Sequence, residues 1–294
     1  MGHQRSPRHS CRAGKAAQSR PSLHLEVARI IYVQTQAAFP EYSHPNSPKT
    51  YTLPQLAACV VLCFYFKMSY RDFVELLRMS QELREALELQ AVPHYSTLSR
   101  MYQRFRASHL DEMNRQLLQS LGVVEEAVAL DSTGFRPTQA SAYFQTRRGR
   151  PFRSWVKGSY AVGTRSQLIL GVLSGRGPSG DSSHLSTLKR RVSPYGKRGD
   201  WVILADGGFD GRGVGSRDLI PPVRRRGALK ATERKARAEL VSQARLDGLF
   251  GQRWKSETVI SVLKRKFGEG VRSRKPRLQM RECRVKALVY NAYR

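Results

Sequence analysis

Apolar residues in the first part of the chain recur with the period of helices. Such a pattern covers residues 24–39, and a Pro/Ser-rich linker follows at 40–49. A strongly apolar helix is then predicted to start at Thr52, with further helices starting at Ser69 and near Ser96. Short helices on short turns, the last one basic, predict an all-α, helix-turn-helix-like unit. A helical packing or dimerisation unit would give the same pattern.

From residue 123 onward the pattern becomes that of strands. Two short apolar stretches, 128–130 and 201–205, each end in an aspartate followed by a turn. Between them, 156–162 and 168–173 alternate like the two strands of a hairpin. The chain is therefore expected to contain an α/β unit after its helical part.

A helix with an unusual polar face is predicted from Phe250 to Phe267. Its apolar residues form one stripe, made of Val259, Ile260, Leu263 and Phe267. At about 100° per residue, Arg253, Glu257 and Lys264 fall in one narrow sector beside that stripe. A solvated face with one Arg/Glu pair would explain this arrangement alone.

Three carboxylates stand out because of where the pattern puts them. Asp131 and Asp206 each follow a buried strand, and Glu257 lies between two cations. A carboxylate delivered by a buried strand is costly unless a cation receives it, so the three suggest a divalent metal site. Asp181 and Asp210 are instead interpreted as residues that cap a helix or close a turn.

These motifs resemble the DDE transposases of bacterial and archaeal insertion sequences, in the broad IS4/IS5 grouping. Members of that family carry an Asp after a strand, a second Asp in a strand followed by Gly and an aromatic, and a helix with Tyr-x2-Arg-x3-Glu-x6-Lys. Arg253, Glu257 and Lys264 match the last motif with the same gaps, whereas Phe250 replaces the Tyr and removes its hydroxyl. The resemblance runs from about Tyr51 to the last residue.

The resemblance implies a fold, a site and a reaction. The expected fold class is α/β, an RNase H-like mixed sheet flanked by helices and preceded by an all-α N-terminal domain. The implied catalytic and metal-binding residues are Asp131, Asp206 and Glu257, which would hold two Mg²⁺ ions or Mn²⁺ in their place. The implied activity is cleavage of DNA at the element ends and strand transfer into target DNA, with Arg253 and Lys264 on the phosphates.

Charge gives independent support for a nucleic-acid partner. The 294 residues contain 51 Lys and Arg against 23 Asp and Glu, which gives a net charge of +28. Such a chain repels itself unless it binds a polyanion. A stretch near residue 150 interleaves rings with cations, so we predict that it contacts DNA phosphates through Arg147, Arg148 and Arg150. A solvated loop is the alternative for this stretch.

We expect three segments: a disordered basic arm at 1–22, the helical DNA-binding domain at 23–120, and the catalytic domain at 121–294. The longest apolar run, 56–66, is too short to cross a bilayer, and no signal peptide is recognisable. The four cysteines have no CxxC spacing and no disulfide framework is expected. Cys59 and Cys63, one helical turn apart in an apolar stretch, are expected to be buried core thiols, with half of a metal site as the alternative. A cytoplasmic, nucleoid-associated protein follows, with double-stranded DNA and at least a homodimer as partners and no membrane.

Two other functions are compatible with the same residues. A metal-dependent nuclease would use the same carboxylates without strand transfer. A non-catalytic DNA-binding protein, descended from a transposase, would keep the fold and only occupy sites.

Overall fold

Within the part of the chain that the structure describes, six helices come first and are followed by a mixed sheet with further helices on both faces. The computed structural model describes residues 22–138, 147, 155–177, 179–224 and 231–294. The N-terminal helices are α1 Leu23–Ala38, α2 Leu53–Tyr65, α3 Tyr70–Met79, α4 Gln81–Ala86, α5 Tyr95–Arg104 and α6 Ala107–Ser120. The rest comprises β1 Ala127–Pro137, β2 Val156–Gly163, β3 Ile169–Arg176, α7 Ser182–Val192, β4 Val202–Leu204, α8 Thr232–Leu246, α9 Trp254–Phe267, β5 Gly270–Val271 and α10 Pro276–Tyr293.

The predicted helix starts at Thr52 and Ser69 are confirmed by their caps. The backbone N–H of Gln55 donates to Thr52 Oγ1 at 3.2 Å, and the N–H of Thr52 donates to Gln55 Oε1 at 2.9 Å. Ser69 Oγ accepts from the N–H of Asp72 at 3.2 Å. These side chains satisfy N–H groups that a helix start leaves without partners.

The helix predicted near Ser96 is shorter than its apolar pattern suggested. Leu98 and Leu110 are both buried, but α5 ends at Arg104 and α6 begins at Ala107. Between them Phe105 is extended (φ −55°, ψ 136°) and its ring lies 5.3 Å from that of Phe39. Burial of this ring outweighs continuation of the helix, which is a tertiary effect that periodicity does not register.

The sheet has the order β3-β2-β1-β4, and β5 pairs separately with the far end of β1. Strand β1 is antiparallel to β2, β2 is antiparallel to β3, and β4 is parallel to β1. The hairpin predicted around residue 165 is thus confirmed, and α7 forms the crossover between β3 and β4. This is the mixed sheet expected of an RNase H-like α/β fold.

The two faces of the sheet belong to different cores. One face packs against α7 through residues such as Leu130 of β1 and Leu185 of α7. The other face, with Phe135 of β1, packs against α9 and α10 and joins the core of the N-terminal helices. Since alternate residues of a strand point to opposite faces, Asp131 lies on the same face as Phe135, and Ser132 on the α7 face.

Helix α10 joins the N-terminal helices to the sheet. It contacts α1, α2 and α6 on one side and β2 and β3 on the other. The hydroxyl of Tyr102 in α5 donates to the carbonyl of Leu278 in α10 at 3.0 Å, and both residues are buried. One continuous hydrophobic core therefore spans both parts, and the division near residue 120 stays a functional prediction.

Cys59, Cys63 and Cys283 are free and buried, as expected of core thiols. Burial raises the pKa of the Cys59 thiol to about 12. Within the described residues no single helix has the length and apolar character needed to cross a bilayer; only the sharply bent pair α2 and α3 meets those criteria jointly.

Candidate active site

Asp131 and Asp206 are brought side by side by the parallel pairing of β1 and β4. Ala129 pairs with Leu204 in this register, and each aspartate lies two residues further along its chain. Neighbouring strands are about 4.8 Å apart, so the two acids lie next to each other where β4 ends. The turn predicted directly after Asp131 is wrong, because β1 continues to Pro137 and Asp131 is paired with Tyr160 of β2. Asp131 is partly buried and accepts a hydrogen bond from the Ser132 N–H at 2.8 Å, whereas Asp206 is exposed.

Glu257 lies in the first turn of α9, which packs along β1. Its Oε1 is 2.7 Å from a guanidinium nitrogen of Arg253. The predicted helix from Phe250 begins instead with a 3₁₀ turn, Phe250–Arg253, and becomes α-helical at Trp254. The Arg253–Glu257 pair nevertheless forms as its spacing indicated, because the two residues still lie on one side of the chain.

The charges of these residues act on one another. Burial raises the pKa of the Asp131 carboxyl, and the negative charges of Glu257 and Asp206 raise it further. The Ser132 N–H and the Arg253 guanidinium act in the opposite direction without cancelling the rise. The three carboxylates predicted from the sequence therefore share one electrostatic environment, with Arg253 as the cation among them.

A divalent cation fits this donor set. Three carboxylates offer hard oxygen ligands, and burial is the main cause of the raised pKa of Asp131, to which the charges of Glu257 and Asp206 add. Across the described ranges, however, no three His, Cys, Asp or Glu side chains lie close enough together to hold an ion as they stand. Glu257 is paired with Arg253 in this arrangement, so it would have to leave that partner to join the other two.

Comparison with known families decides the membership of the chain. The family model described as the transposase DDE domain matches residues 123–292, more than half of the chain. The chain belongs to the DDE transposases. Curated proteins and solved structures give no match to it.

Lys264 of this DDE domain lies further along α9, next to β1. Its Nζ is 5.7 Å from the centre of the Phe135 ring. Phe135 follows Asp131 by four residues on the same face of β1. Helix α9 therefore holds Glu257 within electrostatic range of Asp131 and Lys264 next to Phe135, in the order of the family motif.

Phe250, which replaces the motif Tyr, is partly buried against the core that β4 forms with α8. The guanidinium of Arg245 lies 5.2 Å from its ring centre, a cation–π distance. The aromatic ring is thus retained for packing while the hydroxyl is absent.

Asp181 is the N-cap residue of α7, as predicted, but the capping role expected of its side chain is wrong. Its side chain makes no capping hydrogen bond, and its Oδ1 lies 2.6 Å from Nζ of Lys157, a residue only 6% exposed. Lys157 Nζ also donates to the carbonyl of Ser179 at 2.5 Å. A buried ammonium attracts a carboxylate more strongly than helix N–H groups do, and the partner comes from β2, far away in the sequence.

A hydrogen-bond chain that sequence reasoning missed lies on the same face as Lys157. Ser132 Oγ is 2.7 Å from Ser159 Oγ, which is 2.8 Å from His184 Nδ1. Burial, followed by the charge of Lys157, lowers the pKa of His184. The His184 imidazole is therefore uncharged near neutral pH, and its contact with Ser159 is interpreted as a structural hydrogen bond. Serine and histidine at these separations give no sequence signal.

Asp210 neither caps a helix nor lies with the three acids. Its carboxylate accepts from the Val223 N–H at 2.8 Å and binds Arg234 at 2.6 Å and Arg237 at 2.5 Å. Asp210 comes four residues after Asp206, so these contacts attach the segment carrying that acid to α8.

The arginines predicted near residue 150 receive no structural support. Arg147 is exposed, and Arg148 and Arg150 lie outside the described residues. Their contact with DNA stays a prediction.

Proposed function

We propose that this DDE transposase cleaves DNA at the ends of a mobile element and joins the freed ends to target DNA, using Asp131, Asp206 and Glu257. The main support is the register of β1 and β4, which aligns the two aspartates, together with the mutual effect of the three charges on the pKa of Asp131. A group of carboxylates beside a cationic residue suits a metal-dependent reaction on a phosphodiester substrate.

Asp131, Asp206 and Glu257 would hold two Mg²⁺ ions, or Mn²⁺ in their place. When bound, divalent ions neutralise the scissile phosphate and activate its oxygen nucleophile. Arg253 would release Glu257 to the metal and turn to the phosphate. Its fork of N–H donors matches a phosphate in two-point contact, and Lys264 would contact a flanking phosphate as a point charge.

The reaction would proceed in two displacements at one site. In the first, water attacks the scissile phosphorus, a P–O bond breaks, and a 3′-hydroxyl is released at the element end. In the second, that hydroxyl attacks a phosphodiester of target DNA. A new P–O bond joins the element end to the target, the P–O bond to the target's own 3′-oxygen breaks, and that oxygen leaves as a 3′-hydroxyl. A nuclease would perform the first displacement only.

The partner proposed is double-stranded DNA, at the element ends and in the target. Residues 23–120 would bind the ends and residues 121–294 would cut and join them. A homodimer or larger assembly would hold two ends together. Membership of the IS4/IS5 grouping and association with the nucleoid in the cytoplasm belong to the same proposal.

Single replacement of each acid by Ala tests the site. Cleavage of supercoiled plasmid and binding of a duplex should be measured separately, because loss of the acids should abolish cleavage and spare binding. Asp200→Ala, which removes an exposed carboxylate before β4, is the matched control. Near wild-type cleavage by any of the three variants would refute the assignment.

A second assay separates the transposase from the nuclease. Supplying a pre-cut DNA end with a circular target removes the need for the first displacement. Joined product is expected from the transposase, and its absence in an enzyme that still cleaves would leave a nuclease.

A further inference from the structure

A concave surface between α3 and α5 lies among the N-terminal helices, outside the candidate active site. It encloses about 690 Å³ and shares no residue with the acids or with α9. We call it the α3–α5 surface; it is lined by Ser69, Tyr70, Arg71, Tyr95, Ser96, Ser99 and Arg100. Two cations, two phenol rings and three hydroxyl groups make it polar and basic.

The two guanidinium groups of this surface are held in place without being neutralised. Arg71 lies over the ring of Tyr95, 4.6 Å from its centre. Arg100 donates to Ser96 Oγ at 3.2 Å and to the Ser96 carbonyl at 3.3 Å. Neither arginine takes part in the ion pairs found among the described residues. Both are exposed and fixed by groups that leave their charge free for an anion.

Arg78, on the same helix as Arg71, shows the alternative. Its guanidinium is paired with Glu75 one turn away at 2.5 Å, and both side chains are largely exposed. An arginine whose charge is already matched gains little from a second anion. The difference between two arginines of α3 indicates that the α3–α5 surface is the part of this helix suited to bind a polyanion.

The hydroxyl groups favour phosphate over base edges as the ligand. Ser99 lies in the middle of α5, on the same surface as Arg100. Ser69 Oγ donates to the carboxylate of Asp72 at 2.8 Å, which sets that acid aside as part of the cap of α3. Hydroxyls and guanidiniums are the usual donors to phosphate oxygens, and phosphate contacts position a protein on DNA without reading its sequence.

We infer that the α3–α5 surface binds the sugar-phosphate backbone of duplex DNA, with Arg71 and Arg100 each contacting a phosphate. The inference rests on the proposed function for the identity of the polyanion and adds the place where the helical region contacts it. It assigns to Tyr95 the role of holding Arg71 in position.

The test is the salt dependence of duplex binding. Fluorescence anisotropy with a labelled, mixed-sequence 30-base-pair duplex, titrated at several NaCl concentrations, should compare wild type with the Arg71→Ala/Arg100→Ala double variant. Loss of two phosphate contacts should reduce the slope of log Kd against log salt by about 1.8 and weaken binding at least about tenfold. The Arg71→Lys/Arg100→Lys variant should recover most of the slope, because it retains the charges.

Arg78→Ala/Arg29→Ala is the matched control, since it removes the same charge from exposed positions on α3 and α1. Equal slopes for the two Ala pairs would overturn the inference and leave the proposed function intact if plasmid cleavage persists. Absence of any DNA binding or cleavage by the wild type would instead refute the proposed function. If the Arg71→Ala/Arg100→Ala variant lost affinity only for duplex RNA of the same sequence, and not for duplex DNA, the assignment of DNA as the ligand would be overturned. Melting temperatures of both pairs show that the fold is retained.

Discussion

The two faces of strand β1 carry polar clusters that differ in how their charges are balanced. On the α7 face, Lys157 is matched by Asp181, and an uncharged His184 closes a chain of hydroxyls. On the α9 face, Asp131 is surrounded by further acids, with Arg253 as its counter-charge. A cluster that balances itself holds the sheet together. A cluster with excess negative charge, such as the one around Asp131, can instead bind a metal cation and through it a substrate.

Adjacent residues give the sharpest contrast between these faces. We expect Asp131→Asn to lower plasmid cleavage by on the order of 10³-fold, because one oxygen of the metal-binding set becomes an amide nitrogen. Ser132→Ala should change cleavage by less than about fivefold. Initial rates in Mg²⁺ check both. Comparable losses in the two variants would mean that the faces do not differ in function.

The α7 face should respond in stability. Asp181→Asn leaves the buried Lys157 ammonium without its counter-charge, which should cost about 3 kcal/mol of the free energy of unfolding in urea. Lys157→Met should cost less, because the remaining Asp181 carboxylate is partly exposed to water. The opposite ranking would show that the pair does not act as a buried ion pair.

A divalent cation should stabilise the protein only through the acids on the α9 face of the sheet. At a concentration one hundred times its Kd, Mg²⁺ or Mn²⁺ should add about 2.7 kcal/mol to the free energy of unfolding, and chelation should reverse the gain. Thermal melts of wild type and Asp131→Asn, with and without the ion, measure this. An equal increase in both proteins would place the ion elsewhere.

Without metal, Asp131→Asn should be the more stable protein at pH 7, by about 1 kcal/mol. Because folding raises the pKa of Asp131, the folded state binds more protons than the unfolded state just above the ordinary pKa of aspartate. Stability of the wild type therefore falls as pH rises through that window, and the advantage of Asn vanishes below it. Urea melts across pH 3–8 test the sign, and an advantage that grows on acidification would contradict it.

The smallest effect concerns Lys264. Lys264→Ala should reduce the salt slope of duplex binding by about 0.9, the loss of one phosphate contact. Arg265→Ala, an exposed neighbour on α9, is the control. An unchanged slope for Lys264→Ala would leave this lysine with its contact to Phe135 and no role on DNA.

Much of the fold was predictable because its signals are local. Thr52 caps its helix as expected, and β4 ends at Leu204, close to the end of its apolar run, whereas β1 continues past Asp131 to Pro137. The family motif also predicted that Glu257 and Lys264 lie on one helix, although Arg253 lies in the 3₁₀ turn before it. These features depend on residues a few positions apart, which a sequence displays directly.

What the sequence did not reveal depends on partners distant along the chain. The sequence predicts a capping side chain at Asp181 because its actual partner, Lys157, lies on another element, strand β2. Asp210 likewise binds Arg234 and Arg237 of a helix that follows much later. The register of β1 against β4, which aligns two of the acids, is also a tertiary property. A local pattern predicts that a polar side chain binds groups nearby in the sequence, whereas in the folded chain it can bind a buried partner from a distant segment.

Helix α10 has a mechanical consequence for a protein that grips DNA. It is wedged between the N-terminal helices and the sheet, with Tyr102 bonded directly to its backbone. A force on DNA bound at α3 or α5 would be transmitted through α10 to β3 without passing through a flexible linker. The α3–α5 surface and the sheet would then move as one body, so bound DNA would stay at a fixed distance from Asp131.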